Sequence, residues 1–339
     1  MGWIKRSLIL SLIIIFFLVY NKDHYKNIGG SGAPHMLALL KWKLTREKPQ
    51  WPELPKIKPD MPPPNIPKYL DSDDIMVTAI NHSSFLIQTG DENILTDPIW
   101  SDYAGPFGKF GVKRSIYPGV DMDDLPRIDF ILISHNHYDH LDVSSIEALV
   151  ERFNPILIMG LGVSKNINYC QIRKGNCYEL NWWEKVQVYG SKNTFTFVPA
   201  NHWSSRYSFD KDTSLWGGFV INNGNDNIYF AGDTGISDDQ IFKQIKEEFG
   251  NIKLSFLPIG SYKPEWFFYP MHTSPFEAMK ILKLLESEYA IPMHYDVFQL
   301  SDEKYEDPLS DLAKAMENEQ VPAGQVIIMK PGDSVKVPD

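Results

Sequence analysis

Four side chains that can bind a metal ion lie within six consecutive residues: His135, His137, Asp139 and His140. An apolar run at 128–134 predicts a buried strand before them, and helical periodicity begins near residue 143. Side chains two positions apart converge on one side of an extended chain, and the next pair faces the other way where the chain turns. The segment therefore predicts a strand, a helix and, between them, a loop that can serve two adjacent metal ions. A solvated polar turn is the weaker alternative, because three of the nine histidines lie here.

Three further candidate ligands each follow a predicted strand or apolar run: His202, Asp233 and His294. Taken singly, they also fit a loop histidine, a turn aspartate and a core histidine. Because each stands where a strand ends, each can point into one groove at the edge of layered sheets. The pattern therefore favours a single polar site built from distant parts of the chain.

The composition restricts the class of protein. With 339 residues and 43% hydrophobic content, the chain can bury the core of one large domain or two small ones, which excludes disorder as its main state. A net charge of −10 argues against a nucleic-acid partner, since phosphate binding depends on clustered cations. Two cysteines exclude a disulfide scaffold and a cysteine-rich zinc module. A homo-oligomer remains compatible with these numbers.

The first 22 residues predict a hydrophobic anchor or signal segment. Lys5 and Arg6 precede an uncharged run at 7–20, which as a helix reaches only about 21 Å, against a hydrocarbon core of roughly 30 Å. Length favours a signal peptide, but charged residues follow the run and no small-residue cleavage site lies close to it. We expect an uncleaved anchor, with a cleaved signal or a buried helix as alternatives. The basic flank then places the body of the protein outside the cytoplasm, associated with the membrane or in the periplasm.

Residues 23–74 predict a proline-rich arm, and residues 75–339 predict one mixed domain. Eight prolines between 49 and 67 exclude a helix or a central strand there and favour an extended, polyproline-like chain. Beyond residue 75, short apolar runs predict strands, the last of them at 325–329. Helical periodicity appears at 143–152, 238–249, 275–288 and 309–319. The pattern indicates packed sheets with helices outside.

The ligand pattern resembles that of the metallo-β-lactamase-fold superfamily, in which a His-x-His-x-Asp-His motif precedes a later His, Asp and His. The resemblance implies an α+β fold, a four-layer αββα sandwich, with two Zn²⁺ ions per chain. It implies that one zinc is held by His135, His137 and His202, that the other is held by Asp139, His140 and His294, and that Asp233 bridges them.

The segments at 79–87, 94–98, 179–184, 215–219, 258–262 and 266–272 are similar to the branch that includes N-acyl-phosphatidylethanolamine-hydrolysing phospholipase D and ascorbate-lactonase-like proteins. The resemblance covers about residues 75–320. It implies a dinuclear zinc phosphodiesterase that acts on a phospholipid or at a membrane surface, with Asp139 and His272 as candidate catalytic residues. A zinc lactonase or another hydrolase of a small polar substrate is the alternative, and a zinc-fixed scaffold without catalysis is a more distant one.

Some residues allow two interpretations. His272 stands before a helix start that favours anions, so it is a candidate substrate-side or proton-handling group, or else a simple loop histidine. Asp142 either orients a ligand imidazole or caps the following helix. Cys170 and Cys177 either close a short disulfide loop or remain buried thiols. His82 lies in a tight turn of the branch motif. Aromatic residues near the ligands suit a lipid substrate or ordinary core packing.

Overall fold

The computed structural model describes residues 24–29, 32, 34–58, 64–70, 74–207, 209–237 and 239–338. Its strands are β1 (Met76–Asn81), β2 (Ser84–Thr89), β3 (Glu92–Thr96), β4 (Tyr103–Ala104), β5 (Val112–Lys113), β6 (Phe130–Ile133), β7 (Ile156–Gly160), β8 (Cys177–Leu180), β9 (Lys185–Val186), β10 (Thr194–Val198), β11 (Gly218–Asn222), β12 (Asn227–Phe230), β13 (Leu254–Pro258), β14 (Tyr289–Met293) and β15 (Ser334–Lys336). Its α-helices are α1 (Met36–Thr45), α2 (Val143–Phe153), α3 (Asn168–Ile172), α4 (Gln240–Phe249), α5 (Glu265–Phe268), α6 (Pro275–Leu284) and α7 (Asp307–Asn318).

Two sheets carry most of these strands. The first has the order β15-β1-β2-β3-β6-β7-β8, and the second has the order β14-β13-β12-β11-β10-β9. In the first sheet the pairs from β3 through β8 are parallel, while β15, β1, β2 and β3 pair antiparallel. Parallel strands that are covered on both faces have continuous apolar sequences, and all four residues of β6 are buried. This explains why the strand before the histidine-rich loop is so apolar.

The two sheets pack face to face through aromatic and aliphatic side chains. Phe85 and Phe256 meet across the interface with ring centroids 4.8 Å apart, and Phe130 and Phe195 meet at the same distance. Burial of apolar area contributes roughly 25 cal/mol per Å², so these contacts between the sheets stabilise the fold.

Helices cover both outer faces. Ile146 and Leu149 of α2 are fully buried in a cluster with Ile131 of the first sheet. Helices α4, α6 and α7 bury apolar side chains in the cluster that contains the second sheet. Ser274 caps α6, with Pro275 at its first turn and Glu277 completing the capping box. The layers follow the order αββα, which confirms the predicted fold class.

The segment before residue 75 packs on the domain and contains one helix that the sequence analysis did not predict. Trp42 of α1 stacks on Phe267 with centroids 4.9 Å apart, and its indole Nε1 donates to Asp302 Oδ2 at 2.6 Å. Helix α1 exposes Met36 and Leu44 to solvent, so its apolar residues do not follow one helical face and gave no periodic signal. The described residues from 49 to 67 form no helix or strand, as expected from their prolines.

Two predictions about local structure need correction or resolution. Residues 325–329 do not form the predicted strand, because Val326 makes only an isolated bridge to Ala290. Cys170 and Cys177 form a disulfide with their Cα atoms 5.6 Å apart, which decides between the two alternatives.

The prediction of membrane association through an N-terminal anchor is wrong for the part of the chain that the structure describes. None of its helices is long and apolar enough to cross a bilayer. The hydrophobic run at 7–20 itself lies outside the described residues. The extracytoplasmic location inferred from that anchor is withdrawn with it.

Candidate metal centre

The predicted ligands meet at one end of the sandwich, where strands of both sheets end. The loop after β6 carries four of them, and His202, Asp233 and His294 follow β10, β12 and β14. His294 and His82 have left-handed backbones, with φ of 63° and 47°. Such conformations cost about 1–3 kcal/mol and persist only where the surrounding structure holds them. These two strained residues both lie in the second ligand cluster, at the polar end of the fold.

The first cluster consists of His135, His137, His202 and Asp233. His137 Nδ1 lies 2.9 Å from His135 Nε2 and 3.1 Å from His202 Nε2. Asp233 Oδ2 lies 3.9 Å from His135 Nε2 and 3.6 Å from His202 Nε2. Three nitrogens and one oxygen therefore converge on a common point.

The second cluster consists of His82, Asp139, His140 and His294. Asp139 Oδ2 lies 3.2 Å from His82 Nε2, 3.4 Å from His140 Nε2 and 3.3 Å from His294 Nε2. Asp233 reaches this cluster with its other oxygen, because Oδ1 lies 3.3 Å from His140 Nε2 and 3.2 Å from His294 Nε2. One carboxylate thus faces both clusters.

The residues fit metal ions at these positions. Three atoms that converge at the second cluster, two of its own and one from Asp233, are buried and have no hydrogen-bond partner among the described residues: His140 Nε2, His294 Nε2 and Asp233 Oδ1. Leaving such atoms unpaired costs about 1–3 kcal/mol each, so they call for a ligand between them. Imidazole nitrogens and carboxylate oxygens are the donor set that Zn²⁺ accepts.

The imidazoles of the first cluster are neutral. Burial lowers the pKa of His137 to about 3 and that of His202 to about 4. Burial, together with neighbouring histidines, also holds the pKa of His135 well below its usual range. A neutral imidazole has a lone pair to give to a metal, so these side chains are ready to bind one.

The second cluster concentrates negative charge. Burial opposes the charged form of every group here, but the carboxylates of Asp233 and Asp139 outweigh it and raise the pKa of His294 to about 9. They also hold the pKa of His140 well above its usual range. The pKa of Asp139 and Asp233 stays well below normal, because nearby histidines outweigh the opposing effect of burial. Two ionised carboxylates in a buried site require positive charge beside them.

A second layer of hydrogen bonds orients the candidate ligands. Asp97 Oδ2 lies 2.7 Å from His140 Nδ1 and accepts from Ser134 Oγ at 2.6 Å, and Ser134 Oγ lies 2.9 Å from His135 Nδ1. His202 Nδ1 lies 2.8 Å from the carbonyl oxygen of Met271. Partners of this kind fix the ring orientation of metal-binding histidines and make them more basic.

Asn27 holds the backbone of His202 from outside the predicted domain. Its Nδ2 donates to the His202 carbonyl at 2.9 Å, and its Oδ1 accepts from the His202 amide at 3.2 Å. The same Oδ1 accepts from the Trp216 indole at 2.8 Å. Asn27 could not be identified from the sequence, because nothing local to residues 24–29 indicates which strand end they approach.

The structure brings all seven predicted ligands together and adds His82, which the analysis treated as a turn residue. Its appearance in the branch motif was the signal that could have identified it. His272 lies beside the centre, with Nδ1 3.8 Å from Asp233 Oδ2. Asp142 occupies the N-cap position of α2, but its side chain accepts hydrogen bonds from the Ser101 amide and the Ser145 hydroxyl and not from the helix backbone.

The comparison with known proteins agrees with this geometry. The family model described as "Beta-lactamase superfamily domain" matches residues 92–295. The chain is 39% identical over 225 residues to the mitochondrial N-acyl-phosphatidylethanolamine-hydrolyzing phospholipase D of Saccharomyces cerevisiae, a match that covers 65% of this chain and 47% of the yeast protein. The chain therefore spans about half the length of that relative.

Two other matches each cover most of this chain and most of the matched protein. N-acyl-phosphatidylethanolamine-hydrolyzing phospholipase D 1 of Caenorhabditis elegans is 32% identical over 255 residues, which cover 72% of this chain and 71% of the worm protein. A metallo hydrolase from Ignicoccus hospitalis has the same fold, with a TM-score of 0.57, 21% identity, and coverage of 78% of this chain and 98% of that one. The chain belongs to the beta-lactamase superfamily of metal-dependent hydrolases.

Proposed function

We propose that this protein is a zinc-dependent phosphodiesterase of the phospholipase D type, acting on phospholipids like N-acyl-phosphatidylethanolamine. The observation that carries the proposal is the position of Asp233, whose two oxygens face two separate ligand clusters. Two relatives with this activity in their names, 39% and 32% identical, support the choice of substrate class. We place the catalytic domain at residues 75–339.

Two zinc ions per chain would be held by the two clusters. His135, His137 and His202 would bind one and Asp139, His140 and His294 the other, with Asp233 between them. His82 would support Asp139 through its Nε2. A bound zinc pair lowers the pKa of water from 15.7 toward about 7 and neutralises charge on reacting phosphate oxygens.

Asp139 and His272 are the groups we assign to proton handling. Asp139 directs Oδ2 at His82, His140 and His294, and its other oxygen would accept a hydrogen bond from the attacking water. Burial holds the pKa of His272 well below its usual range, so the ring is neutral, and its Nδ1 has no hydrogen-bond partner among the described residues. Water forms the new bond to phosphorus, the bond from phosphorus to the ethanolamine oxygen breaks, and that oxygen takes a proton.

Apolar surface beside the centre suits the chains of a lipid. The ring of Trp203 lies 4.5 Å from that of His137. Tyr207 and Phe209 stack on each other with centroids 5.4 Å apart, and about half of each side chain is exposed. Trp266 is 49% exposed on the neighbouring helix α5. Exposed apolar groups of this density next to a polar site are typical of surfaces that bind apolar ligands.

The direct test is hydrolysis of N-acyl-phosphatidylethanolamine dispersed in detergent by the purified, zinc-loaded protein. We expect phosphatidic acid and the free N-acylethanolamine in equal amounts. His140→Ala is the matched negative control, because it removes a candidate ligand from the loop and leaves His137, which packs against Trp203 of the apolar surface, in place. Absence of phosphatidic acid from a protein that carries zinc would refute the phospholipid assignment.

A soluble lactone assayed in parallel separates the two substrate classes. Turnover of the lactone with no preference for dispersed lipid would favour the lactonase alternative. We expect hydrolysis of the dispersed lipid and little turnover of the lactone, because exposed aromatic side chains flank the centre.

A further inference from the structure

Arg206 connects two segments of the chain that carry candidate metal ligands. It lies four residues after His202, and its side chain reaches back to the loop that follows β6. Arg206 Nη1 donates to the Asn136 carbonyl at 2.9 Å and to the Leu141 carbonyl at 2.7 Å. Between these two carbonyls lie three candidate ligands, His137, Asp139 and His140. One guanidinium group therefore holds both ends of the stretch from which the loop supplies both clusters.

The loop forms its own turn through the carbonyl of His137, which accepts from the amides of His140 and Leu141 at 3.2 Å and 2.8 Å. The carbonyls at the two ends of the loop accept from Arg206 instead. Both end residues are buried, since Asn136 is 1% exposed and Leu141 is fully buried. Water is therefore a poor substitute for the guanidinium. Without it the loop keeps two buried acceptors that lack this donor, or changes its curvature to reach another one.

Tyr138 makes the contact between the two segments reciprocal. The guanidinium carbon of Arg206 lies 4.1 Å from the centre of the Tyr138 ring. The Tyr138 hydroxyl in turn donates to the Arg206 carbonyl at 3.1 Å. A planar guanidinium stacks on an aromatic ring and donates hydrogen bonds in its own plane at the same time, which a lysine ammonium does not do. The geometry of this contact is therefore specific to arginine.

The turn that carries Arg206 is itself held by Asp210, which is 9% exposed. Asp210 Oδ1 accepts from the amides of Arg206 and Tyr207 at 3.0 Å and 2.8 Å. The Ser205 hydroxyl donates to the same oxygen at 3.1 Å. A carboxylate that accepts several hydrogen bonds from one turn fixes the backbone of that turn. The guanidinium is therefore presented to the metal loop from a fixed backbone position.

We propose that Arg206 is a positioning residue for both metal sites. It belongs to neither cluster, and it acts through the backbone of the loop. His137 faces the first cluster, whereas Asp139 and His140 face the second. The curvature of this short stretch therefore sets how the two groups of ligands are placed relative to each other. The inference rests on the proposed pair of zinc ions and extends that proposal to a residue outside the ligand set.

Arg206→Met tests the proposal, because methionine removes the donors and keeps an unbranched side chain. In the full-length protein we expect both zinc affinities to fall by about tenfold, measured by competition with a chromophoric chelator. The visible absorption of the Co²⁺-loaded protein should also change, because it reports the geometry around the ions. Arg152→Met, at an exposed arginine in the last turn of α2, is the matched control and should alter neither quantity. Unchanged affinities, or weakening of one site alone, would overturn the proposal.

Chemical rescue separates positioning from a general loss of stability. Arg206→Ala leaves a gap of the shape of a guanidinium, so millimolar guanidinium chloride should restore much of the lost zinc affinity at both sites. The same additive should not restore Asn27→Ala, which lacks an amide side chain at a different contact. Arg206→Lys keeps the positive charge and should weaken both sites less than Arg206→Met does, because an ammonium can still donate to a carbonyl.

Failure of guanidinium to restore a folded Arg206→Ala protein would overturn the positioning role, and so would an Arg206→Lys protein that is impaired at one site only. These measurements use zinc and cobalt without any lipid. A protein that hydrolyses no phospholipid therefore refutes the proposed substrate, while the result for Arg206 is decided separately by the metal affinities and the cobalt spectrum.

Discussion

The two ligand clusters contain the same kinds of side chain but differ in charge. The first holds histidines whose pKa is lowered by burial, with one oxygen of Asp233 facing them. The second has two carboxylates directed at His140 and His294, and these raise the pKa of both rings in spite of burial. Without a metal, protons on these two rings must balance the buried carboxylates. The clusters are therefore distinguished by the positions of two aspartates more than by their histidines.

The largest expected effect comes from the residue that joins the clusters. Asp233→Ala removes an oxygen from each, so we expect loss of both zinc equivalents and a fall in hydrolysis of about 1000-fold or more. Metal analysis of the purified protein and the phosphatidic-acid assay measure the two effects. Asp239→Ala, which removes a half-buried aspartate paired with Lys243 on the surface of α4, is the control. A variant that keeps both metals would show that Asp233 does not join the clusters.

Substitution of a ligand in only one cluster should remove only one of the two metal ions. His202→Ala changes only the first cluster and His294→Ala only the second, so each should lose one zinc equivalent and keep the other. Metal analysis after dialysis against a weak chelator measures this result. If either substitution releases both ions, the two clusters bind metal as one cooperative unit and are not separate sites.

The charge difference predicts a pH effect in metal-free protein. The pKa of His294 is raised from 6.5 to about 9, so the stability it contributes is full below about pH 6.5 and is lost as the pH rises through about 9. Thermal unfolding of chelator-treated protein should therefore show a falling Tm over that interval. His294→Ala should flatten the profile, and so should zinc, which binds the deprotonated ring. A metal-free wild type with constant Tm across this range would contradict the assigned charges.

The smallest expected effect concerns the first cluster alone. Asn27→Ala removes both hydrogen bonds to the backbone of His202, which should weaken zinc binding there by roughly tenfold and leave the second cluster unchanged. Competition with a chromophoric chelator resolves the two affinities. Asn166→Ala, which loses only a local hydrogen bond to Val163, serves as the control. Equal weakening of both sites would indicate general destabilisation.

Much of the fold could be predicted because its signals are local. The buried run of β6 and the Ser274 cap of α6 are visible in short windows, and the structure contains both elements. Helix α1 gave no signal, since its contacts with Phe267 and Phe268 come from a distant part of the chain. The predicted strand at 325–329 does not form. A strand needs a partner along its whole length, and Val326 makes only an isolated bridge.

The candidate metal site also has a part that local sequence predicts and a part that depends on long-range contacts. The spacing of His135, His137, Asp139 and His140, followed by the order of the later ligands, was sufficient to predict a metal centre. Sequence spacing could not identify His82, in the β1–β2 turn, or Asn27, which holds His202. Each residue reaches the candidate metal site only because of the strand order that folding establishes. Their roles as metal-site residues stay predictions until metal is measured.

Residue order along the chain was sufficient to assign the family and the set of side chains available to a metal, and the αββα class followed from the resemblance to that family. The three-dimensional packing was needed to show that the two oxygens of Asp233 face different clusters and that His82 joins the second cluster. Both features depend on how the two sheets are placed against each other. That placement is a long-range packing result, which no short window of sequence contains.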